Sequence, residues 1–456
     1  MKRSFGKAVG TAGLGIALAA SLAACGGNAG NGKQGSSSGQ ATADCSAYHQ
    51  YGDLKGKTVS VYTTFVDTEG ASYEASFKQF KTCTGAEIKY EGSKSLTADV
   101  LGRIEAGAVA DIVAFPQPGL LQQAVATGKV RPAPEAVAAN VDKYWTASWR
   151  DYGSVDGALY AAPLGASVKS LVWYSPSAFE QKGYQVPQTW DELTQLTASI
   201  AQAGGAKPWC AGIADGDATG WVATDWVEDV VLRSAGPDAY DQWVKHEIPF
   251  NDPKVVNSLT EMSKLLRNDA YVNAGIGDIA SIAATSWTEA GTPIIDGQCF
   301  LHRQASFYGG NFADEGAKVG QDGDVWAFYL PSSDPSVKPI LGAGDFVAAF
   351  ADRPEVVAFQ TYLSSPQWAN EKAKVTDGGW TTANNGLDKS NLKSEVDQLA
   401  FGLLADPSAE FRFDGSDLMP AVVGSDAFWK QMTAYFAENK SEQAVADAIE
   451  AAWPKS

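Results

Sequence analysis

The chain has 456 residues, of which 45% are hydrophobic, so it is long enough for two domains that each bury a core. Its formal net charge at pH 7 is −18. This acidity argues against nucleic acid and against an anionic lipid surface as binding partners.

The first 24 residues have the pattern of an export signal. A basic start precedes an apolar run from residue 8 to 20, which is short for a membrane span. The sequence Leu-Ala-Ala-Cys at residues 22–25 resembles the lipobox of bacterial lipoproteins, in which the cysteine is lipidated and becomes the mature N-terminus. The resemblance implies a lipidated Cys25. The alternative is an ordinary signal peptide followed by a cysteine.

Residues 25–50 form the predicted linker. Gly, Ser, Asn, Gln and Ala dominate residues 26–43, a composition that cannot bury a core and gives a flexible chain. The sequence therefore predicts an exported body that is held at the outer face of the cell membrane by the lipid on Cys25 alone.

Strands and helices alternate in the next part of the chain. β-Branched and aromatic residues predict strands at 59–65, 87–90 and 111–115, and helical spacing predicts helices at 71–82, 96–104 and 120–126. This alternation predicts a parallel sheet, and ligands bind outside the carboxyl ends of such strands. The candidate ligand-binding residues there are Thr64, Asp67, Glu69 and Gln117. Asp67 and Glu69 could equally complement the dipole of the following helix.

A second α/β pattern begins with a strand at residues 167–175. A later strand at 209–213 leads into the polar loop 215–221, in which Asp215 and Asp217 resemble half of a calcium-binding loop. Its twelfth position is Trp226, where calcium requires a bidentate Glu. The alternative is a ligand loop that presents Trp221, with Asp225 as a further ligand group or as a carboxylate at a helix N-terminus.

Two further segments offer candidate ligand groups. Arg303 and Gln304 interrupt the strand-like run 300–307, as a ligand-facing end or as an ordinary strand edge. Strands are predicted at 325–330 and 340–350, and helices at 356–363 and 367–373. The loop 378–380 then offers Trp380 as a stacking ring.

The stretch from residue 411 to 432 carries charged groups among aromatic rings. Arg412 lies between two phenylalanines, Asp414 and Asp417 follow, and Trp429 comes later. Glycine and proline exclude a long regular helix before about residue 425. An arginine, carboxylates and flat rings suit a polar ligand. The alternative is a surface loop with a local Arg–Asp pair.

Four cysteines remain besides Cys25, and an even number in an exported protein favours two disulfides. Three pairings are possible. The chain has no C-x-x-C motif and only three histidines, so neither a metal nor another cofactor is expected.

Six segments together resemble the sugar-binding proteins of bacterial ABC importers, within the superfamily of maltose-binding protein and nearest to its alpha-glucoside-binding branch. These segments are SVKSLVWYS, KPWCAGI, ATDWVEDVVLR, YDQWVKHEIPFNDPKV, CFLHRQASF and FRFDGSDLMP with its following AFW. The resemblance implies an α/β, two-lobed periplasmic-binding-protein fold of type II. Each lobe would be a mostly parallel sheet flanked by helices, and the chain would cross the hinge three times.

The resemblance also implies boundaries and disulfides. Lobe 1 would hold residues 51–166 and 343–381, and lobe 2 residues 167–342 and 382–456. The pairs Cys45–Cys83, near the start of the fold, and Cys210–Cys299 are favoured, because the family has cysteines in the segments that match KPWC and QCFLHR.

The implied function is sugar capture without catalysis. A monomer would bind a di- or oligosaccharide, such as an alpha-glucoside, between its lobes and deliver it to the permease of an ABC importer. We expect Asp414 or Asp417 to orient Arg412 toward sugar hydroxyls. The expected sugar-binding residues are Thr64, Asp67, Glu69, Gln117, Trp221, Asp225, Arg303, Gln304, Trp380, Arg412, Asp414, Asp417 and Trp429.

Two other functions are alternatives to sugar capture. A scaffold lipoprotein would bind no soluble ligand. An extracytoplasmic glycoside hydrolase could use Asp414 and Asp417, but carboxylates three residues apart do not flank a glycosidic bond from opposite sides.

Overall fold

A computed structural model describes residues 44–455. The predicted signal peptide, the predicted lipidation site Cys25 and most of the predicted linker lie outside these residues. The linker was predicted to reach residue 50, which is too far, because Ser46–Tyr51 form a 3-10 helix whose Tyr48 and Tyr51 are buried. Within residues 44–455, no helix combines the length and the hydropathy that a membrane crossing needs.

Most strands belong to two sheets. Their bounds are β1 Thr58–Thr63, β2 Glu87–Gly92, β3 Ile112–Phe115, β4 Ser154–Val155, β5 Ala158–Leu159, β6 Ala161–Val168, β7 Leu171–Tyr174, β8 Lys207–Cys210, β9 Val272–Asn273, β10 Cys299–Arg303, β11 Trp326–Tyr329, β12 Lys338–Ala349 and β13 Ala409–Phe413.

Helices pack around both sheets. Their bounds are α1 Asp67–Ser76, α2 Lys78–Thr84, α3 Leu96–Ala106, α4 Pro118–Ala126, α5 Glu135–Tyr144, α6 Ala147–Tyr152, α7 Pro176–Lys182, α8 Trp190–Ala203, α9 Trp221–Ser234, α10 Pro237–Val244, α11 Pro253–Leu266, α12 Gly309–Asp314, α13 Pro354–Leu363, α14 Pro366–Val375, α15 Glu395–Leu404, α16 Gly415–Leu418, α17 Trp429–Ala437 and α18 Glu442–Glu450.

The six-stranded sheet forms the core of lobe 1. Its neighbours run β13-β12-β3-β1-β2, and β6 pairs with β12. Strand β1 is parallel to β2 and β3, whereas β12 is antiparallel to β3 and β6 and parallel to β13. The sheet thus has the predicted parallel core of three strands, to which antiparallel strands are added where the lobes connect.

The five-stranded sheet forms the core of lobe 2 in the order β11-β7-β10-β8-β9. Strand β8 is parallel to β9 and β10, and β7 is antiparallel to β10 and β11. Both sheets are therefore mixed, because strands that arrive from the other lobe run against the parallel core. Each lobe has its own buried core of aromatic and aliphatic side chains.

Three connections join the lobes. The first is Lys169-Ser170 between β6 and β7, and the second is the segment 330–337 between β11 and β12. The third, residues 376–394, runs beside β6, where Thr381 bridges Ala166. The lobe boundaries at residues 166/167, 342/343 and 381/382 stay predictions. The first falls inside β6, the second inside β12 and the third within residues 376–394, and β13, which these boundaries assign to lobe 2, pairs with the start of β12 in the six-stranded sheet.

Both favoured disulfides are present. Cys45 pairs with Cys83, and Cys210 pairs with Cys299, with Cα atoms 5.3 and 5.7 Å apart. The second bond links β8 to its neighbour β10.

The stretch from residue 411 to 432 is made of several elements. It contains the end of β13, the short helix α16, a π-helix at Val422–Phe428 and the start of α17. The prediction that no long regular helix forms before about residue 425 is confirmed, and the strand β13 at the start of the stretch pairs with the distant strand β12.

Candidate functional site

A cleft of about 1400 Å³ lies between the lobes. From lobe 1 it is lined by the start of α1, by β6 around Gly165 and by β12 around Asp345. Lobe 2 contributes Trp221 at the start of α9 and the residues around α12. The first and third connections between the lobes reach the cleft, and both lobes line it, so a ligand bound there would contact both lobes.

Aromatic rings form the lobe 2 wall. Trp221 and Trp287 meet edge to face with centroids 5.3 Å apart, and Phe307 lies 6.0 Å from Trp287. Trp221 Nε1 donates to Asp215 Oδ2 at 2.9 Å, which fixes the orientation of the indole. The predicted ligand loop therefore does present Trp221 to the cleft, and Asp215 supports it.

Carboxylates dominate the polar part of the lining. The acidic residues are Asp67, Glu69, Asp314, Asp345, Asp377, Glu395 and Asp417, against the lysines Lys169, Lys372 and Lys393. Among the described residues that line the cleft there is no arginine. The cleft therefore offers hydrogen-bond acceptors rather than the guanidinium forks that suit anionic ligands.

The lysines carry little free positive charge. Lys393 pairs with Asp377 at 2.7 Å. Lys372 donates to Ser72 Oγ at 2.7 Å and to Thr376 Oγ1 at 2.8 Å, and burial lowers its pKa to about 7. The acidity of the cleft is thus not cancelled by the lysines that line it.

Lys169 forms the floor of the cleft at the first connection. Its Nζ donates to Asp225 Oδ1 at 2.8 Å and also bonds Asp414 Oδ2. Burial alone would lower the pKa of Lys169, but Asp225 and Asp414 outweigh it and raise that pKa. The ammonium therefore stays charged and joins α9 to the C-terminal segment.

Asp414 and Asp417 are held in place by the fold. Asp414 caps α16 by accepting from the backbone N–H of Asp417 at 3.2 Å. Asp417 Oδ1 accepts from Gln117 Nε2 at 2.8 Å, which connects the C-terminal segment with lobe 1. Burial raises the pKa of Asp417 far above its usual range, and Asp414 adds to this effect.

A second buried ion pair lies behind the floor. Arg303 is fully buried and donates to Asp229 Oδ2 through Nε at 3.1 Å and Nη2 at 2.7 Å. Gln304 is also buried, and its Oε1 accepts from the backbone N–H of Ala305 at 2.8 Å. Neither side chain lines the cleft.

Asp225, Glu228 and Asp414 bring carboxylate oxygens within 4.8 Å of one another. The Lys169 ammonium already bonds Asp225 and Asp414, and Glu228 accepts from the backbone N–H groups of Gly415 and Ser416 at 2.8 and 3.1 Å. Burial raises the pKa of Glu228 far above its usual range, and Asp414 and Asp225 add to the effect. The cluster therefore binds its own chain rather than offering open metal ligands.

The predicted site residues divide into two groups. The lining includes Asp67, Glu69, Trp221, Trp380 and Asp417. The others, which lie beside or behind the lining, are Thr64, Gln117, Asp225, Arg303, Gln304, Arg412, Asp414 and Trp429. Ligand contact by any of them stays a prediction. Trp429 packs its backbone against Gly220, whose φ of 118° and tight contact with Trp429 exclude a side chain.

The predicted partner of Arg412 is wrong. Its Nε donates to Asp241 Oδ1 at 2.7 Å, not to Asp414 or Asp417. Arg412 on β13 faces α10, whereas Asp414 lies beyond the end of β13, where it caps α16 and bonds Lys169. The sequence-local pairing fails because Asp241 is 171 residues away.

Several lining residues were not predicted, among them Tyr73, Lys169, Trp287, Phe307, Asp345 and Lys372. Lys169 and Asp345 each interrupt an otherwise apolar strand or its end, which is a signal that the sequence offered. Trp287 lies in a segment without regular periodicity, and nothing local distinguishes it from a core tryptophan.

Comparisons with known proteins identify the family. Residues 66–370 match the family model described as bacterial extracellular solute-binding protein. The chain is 38% identical over 418 residues to the alpha-glucosides-binding periplasmic protein AglE of Rhizobium meliloti (strain 1021). The aligned region covers 88% of each of the two chains. It is 35% identical over 412 residues to the osmoprotective compounds-binding protein GgtB of Synechocystis sp., covering 89% of this chain and 94% of the relative.

The fold agrees with these matches. The solute receptor AcbH, whose crystal structures are described as showing exclusive preference for β-D-galactopyranose, superposes with a TM-score of 0.72. It is 17% identical and covers 87% of this chain and 98% of its own, so it supports the fold alone. The family match spans more than half of the chain, and the chain belongs to the family of bacterial extracellular solute-binding proteins.

Proposed function

We propose that this protein captures a sugar, most specifically an alpha-glucoside di- or oligosaccharide, in the cleft between its lobes and delivers it to the permease of an ABC importer. It acts as a binder and not as an enzyme. The lobes close on the ligand by hinge motion, and the closed state is the one that the permease recognises. The identity to AglE supports the alpha-glucoside class.

The observation that carries this proposal is the pairing of two kinds of surface in one cleft. Trp221, Trp287 and Phe307 offer rings to the apolar faces of a sugar. The carboxylates of the lining accept hydrogen bonds from hydroxyl groups. An uncharged polyhydroxylated solute satisfies both, whereas a phosphorylated or carboxylated one would meet an acidic lining.

Calorimetric titration with maltose, sucrose and trehalose tests the ligand class, with β-linked cellobiose and glucose 6-phosphate as controls. We expect at least one alpha-glucoside to bind with a dissociation constant in the micromolar range or below. A thermal shift with the same sugar should accompany binding, since a ligand of the native state alone raises the melting temperature. Binding of the phosphate ester in preference to every neutral sugar would contradict the proposal.

Trp221→Ala is expected to weaken binding of that sugar by about thirtyfold. The substitution removes a central ring from the lobe 2 wall, and central aromatic anchors typically contribute about 2 kcal/mol or more, at about 1.4 kcal/mol per tenfold. Arg412→Ala is the matched control, because Arg412 pairs with Asp241 outside the lining. We expect the control to change the affinity less than about threefold. Equal losses in both variants would argue against the aromatic wall as the stacking surface.

We propose that Cys25 carries the lipid that tethers the protein to the outer face of the cell membrane. The support is the Leu-Ala-Ala-Cys pattern at residues 22–25. Changing Cys25 to Ser should move the protein from the membrane fraction to the soluble exported fraction while leaving sugar affinity unchanged. A variant that stays in the membrane fraction after a carbonate wash would show a different anchor.

A further inference from the structure

Gly165 on β6 stands at the centre of three polar side chains in the lobe 1 wall. A Cβ atom at this position would lie 3.2 Å from Trp380 Nε1, 3.3 Å from Asp345 Oδ2 and 3.5 Å from Tyr73 Oη. The three side chains come from three separate segments, namely α1, β12 and the third connection between the lobes. Their polar atoms therefore converge on one point because the fold brings them there, not because they are neighbours in sequence.

Gly165 leaves this space free of a side chain, although its backbone conformation does not require a glycine. Gly165 is not among the described residues with positive φ, so an L-amino acid can adopt its conformation. Gly165 also lines the cleft together with Tyr73, Asp345 and Trp380. The space that a methyl group would occupy is thus space that the cleft offers to a ligand.

One polar atom at this space, Trp380 Nε1, is buried without a hydrogen-bond partner within residues 44–455. Trp380 itself is 6% exposed. The half-buried Asp345 carboxyl group and the Tyr73 hydroxyl lie beside this donor, and both residues line the cleft. A buried donor without an acceptor destabilises the protein, and a ligand oxygen at this point would satisfy it.

The polar groups around the space include the oxygens of Asp345 and Tyr73, which can accept hydrogen bonds from hydroxyl groups. Burial raises the pKa of Asp345 far above its usual range, and Glu69 adds to the effect. Lys372 does not pair with Asp345 but donates to Ser72 and Thr376, and its Nζ lies 4.3 Å from the centroid of Tyr73. Lys372 therefore does not compete for Asp345. The oxygens of Asp345 and Tyr73 can accept hydrogen bonds from a ligand.

We propose that this enclosure, named the Gly165 subsite and formed by Gly165, Tyr73, Asp345 and Trp380, binds two adjacent hydroxyl groups of one ring of the bound sugar. The Asp345 carboxyl oxygens accept from the two hydroxyls, and Trp380 Nε1 donates to one of the same oxygens. The inference rests on the proposed function and deepens it, because it names the part of the sugar that lobe 1 selects.

The test adds a methyl group to the subsite. Gly165→Ala is expected to weaken binding of the tightest of maltose, sucrose and trehalose by about tenfold or more, because the new Cβ would occupy the place of a hydroxyl oxygen. Gly102→Ala is the matched control, since Gly102 on α3 is exposed, lies outside the cleft lining, and a Cβ there would have no atom within 4 Å. We expect the control to bind within about twofold of the wild type.

A second variant covers the case in which Gly165→Ala folds poorly. Asp345→Asn keeps the shape of the side chain but converts one acceptor into a donor. Monodeoxy analogues of the same sugar should include one that binds the wild type about tenfold more weakly than the parent sugar does. That analogue and the parent sugar should bind Asp345→Asn with nearly equal affinity, because the contact is already lost.

The possible outcomes of these binding experiments distinguish a failure of the Gly165 subsite from a failure of the proposed function. A wild type that binds a neutral sugar while Gly165→Ala and Asp345→Asn bind it equally well overturns the subsite and leaves the proposed function standing. A wild type that binds none of the sugars overturns both. A loss in Gly165→Ala that Gly102→Ala shares overturns the subsite, because the loss would then not depend on the place of the added methyl group.

Discussion

Replacing Lys169 by Met is expected to lower the free energy of unfolding by about 3–5 kcal/mol at pH 7.5. Lys169 is buried, and its ammonium bonds Asp225 and Asp414, which are also buried. The substitution leaves two carboxylates in the interior without their counter-charge, and removing one partner of a buried pair is far more costly than replacing the whole pair.

The loss should shrink as the pH falls. In the wild type, burial raises the pKa of Asp225 to about 7 although Lys169 opposes it. Burial also acts to raise the pKa of Asp414, but Lys169 and hydrogen bonds outweigh it and hold that pKa below its usual range. Without the lysine both folded-state pKa values rise. A carboxyl group whose pKa is raised by folding stabilises the protein as it is protonated, so the variant gains stability between pH 7.5 and 5 relative to the wild type.

Urea unfolding of wild type and Lys169→Met at both pH values measures this effect. Lys393→Met is the matched control, because Lys393 also lines the cleft but pairs with Asp377 at the surface, where its side chain is 49% exposed. Exposed pairs contribute about 0–1 kcal/mol. A loss below about 1 kcal/mol in Lys169→Met, or one that grows toward pH 5, would contradict the assignment of a charged internal lysine.

Removing the Cys210–Cys299 disulfide is expected to lower the free energy of unfolding by about 4–5 kcal/mol. The two cysteines are separated by 89 residues, and in the chain-entropy model a cross-link over that distance restricts the unfolded chain by about this amount. The double variant Cys210→Ala, Cys299→Ala should keep its fold, since β8 and β10 remain paired by backbone hydrogen bonds.

The Cys45–Cys83 bond provides the comparison. Its separation of 38 residues gives about 4 kcal/mol in the same model, slightly less than the longer loop. Guanidinium unfolding of the two double variants under non-reducing conditions measures both losses. An unfolding free energy within about 1 kcal/mol of the wild type in the Cys210/Cys299 variant would show that the loop model does not apply here.

Local patterns predicted the regular elements well where the partner of each element is near in sequence. The strands at 59–65, 87–90 and 111–115 correspond to β1, β2 and β3, within about two residues at each end. The helix predicted at 71–82 is two helices, α1 and α2, which a change of direction at Phe77 separates. The spacing of apolar residues along the sequence does not show where one helix ends and the next begins.

The site was less predictable because it is assembled from distant segments. Trp221 and Trp380 were predicted as ligand-binding residues because each is an aromatic ring in a polar loop, and both line the cleft. Arg412 also lies among polar and aromatic residues, yet its partner is Asp241. The pairing of β13 with β12 determines the direction in which the Arg412 side chain points, and the local sequence does not show this pairing. Lys169 could have been noticed as a charge inside an apolar strand, but its two partners lie 56 and 245 residues away.

The position of β12 in the middle of the lobe 1 sheet has a consequence for biosynthesis. Strands β3 and β6 both pair with β12, which ends at Ala349, so the sheet lacks a central strand until most of the chain has been made. Until then β3, whose four residues are all buried in the finished fold, is an open apolar edge that other chains could join. We therefore expect the nascent N-terminal part to be held unfolded by a chaperone during export, with lobe 1 folding only after translocation is nearly complete.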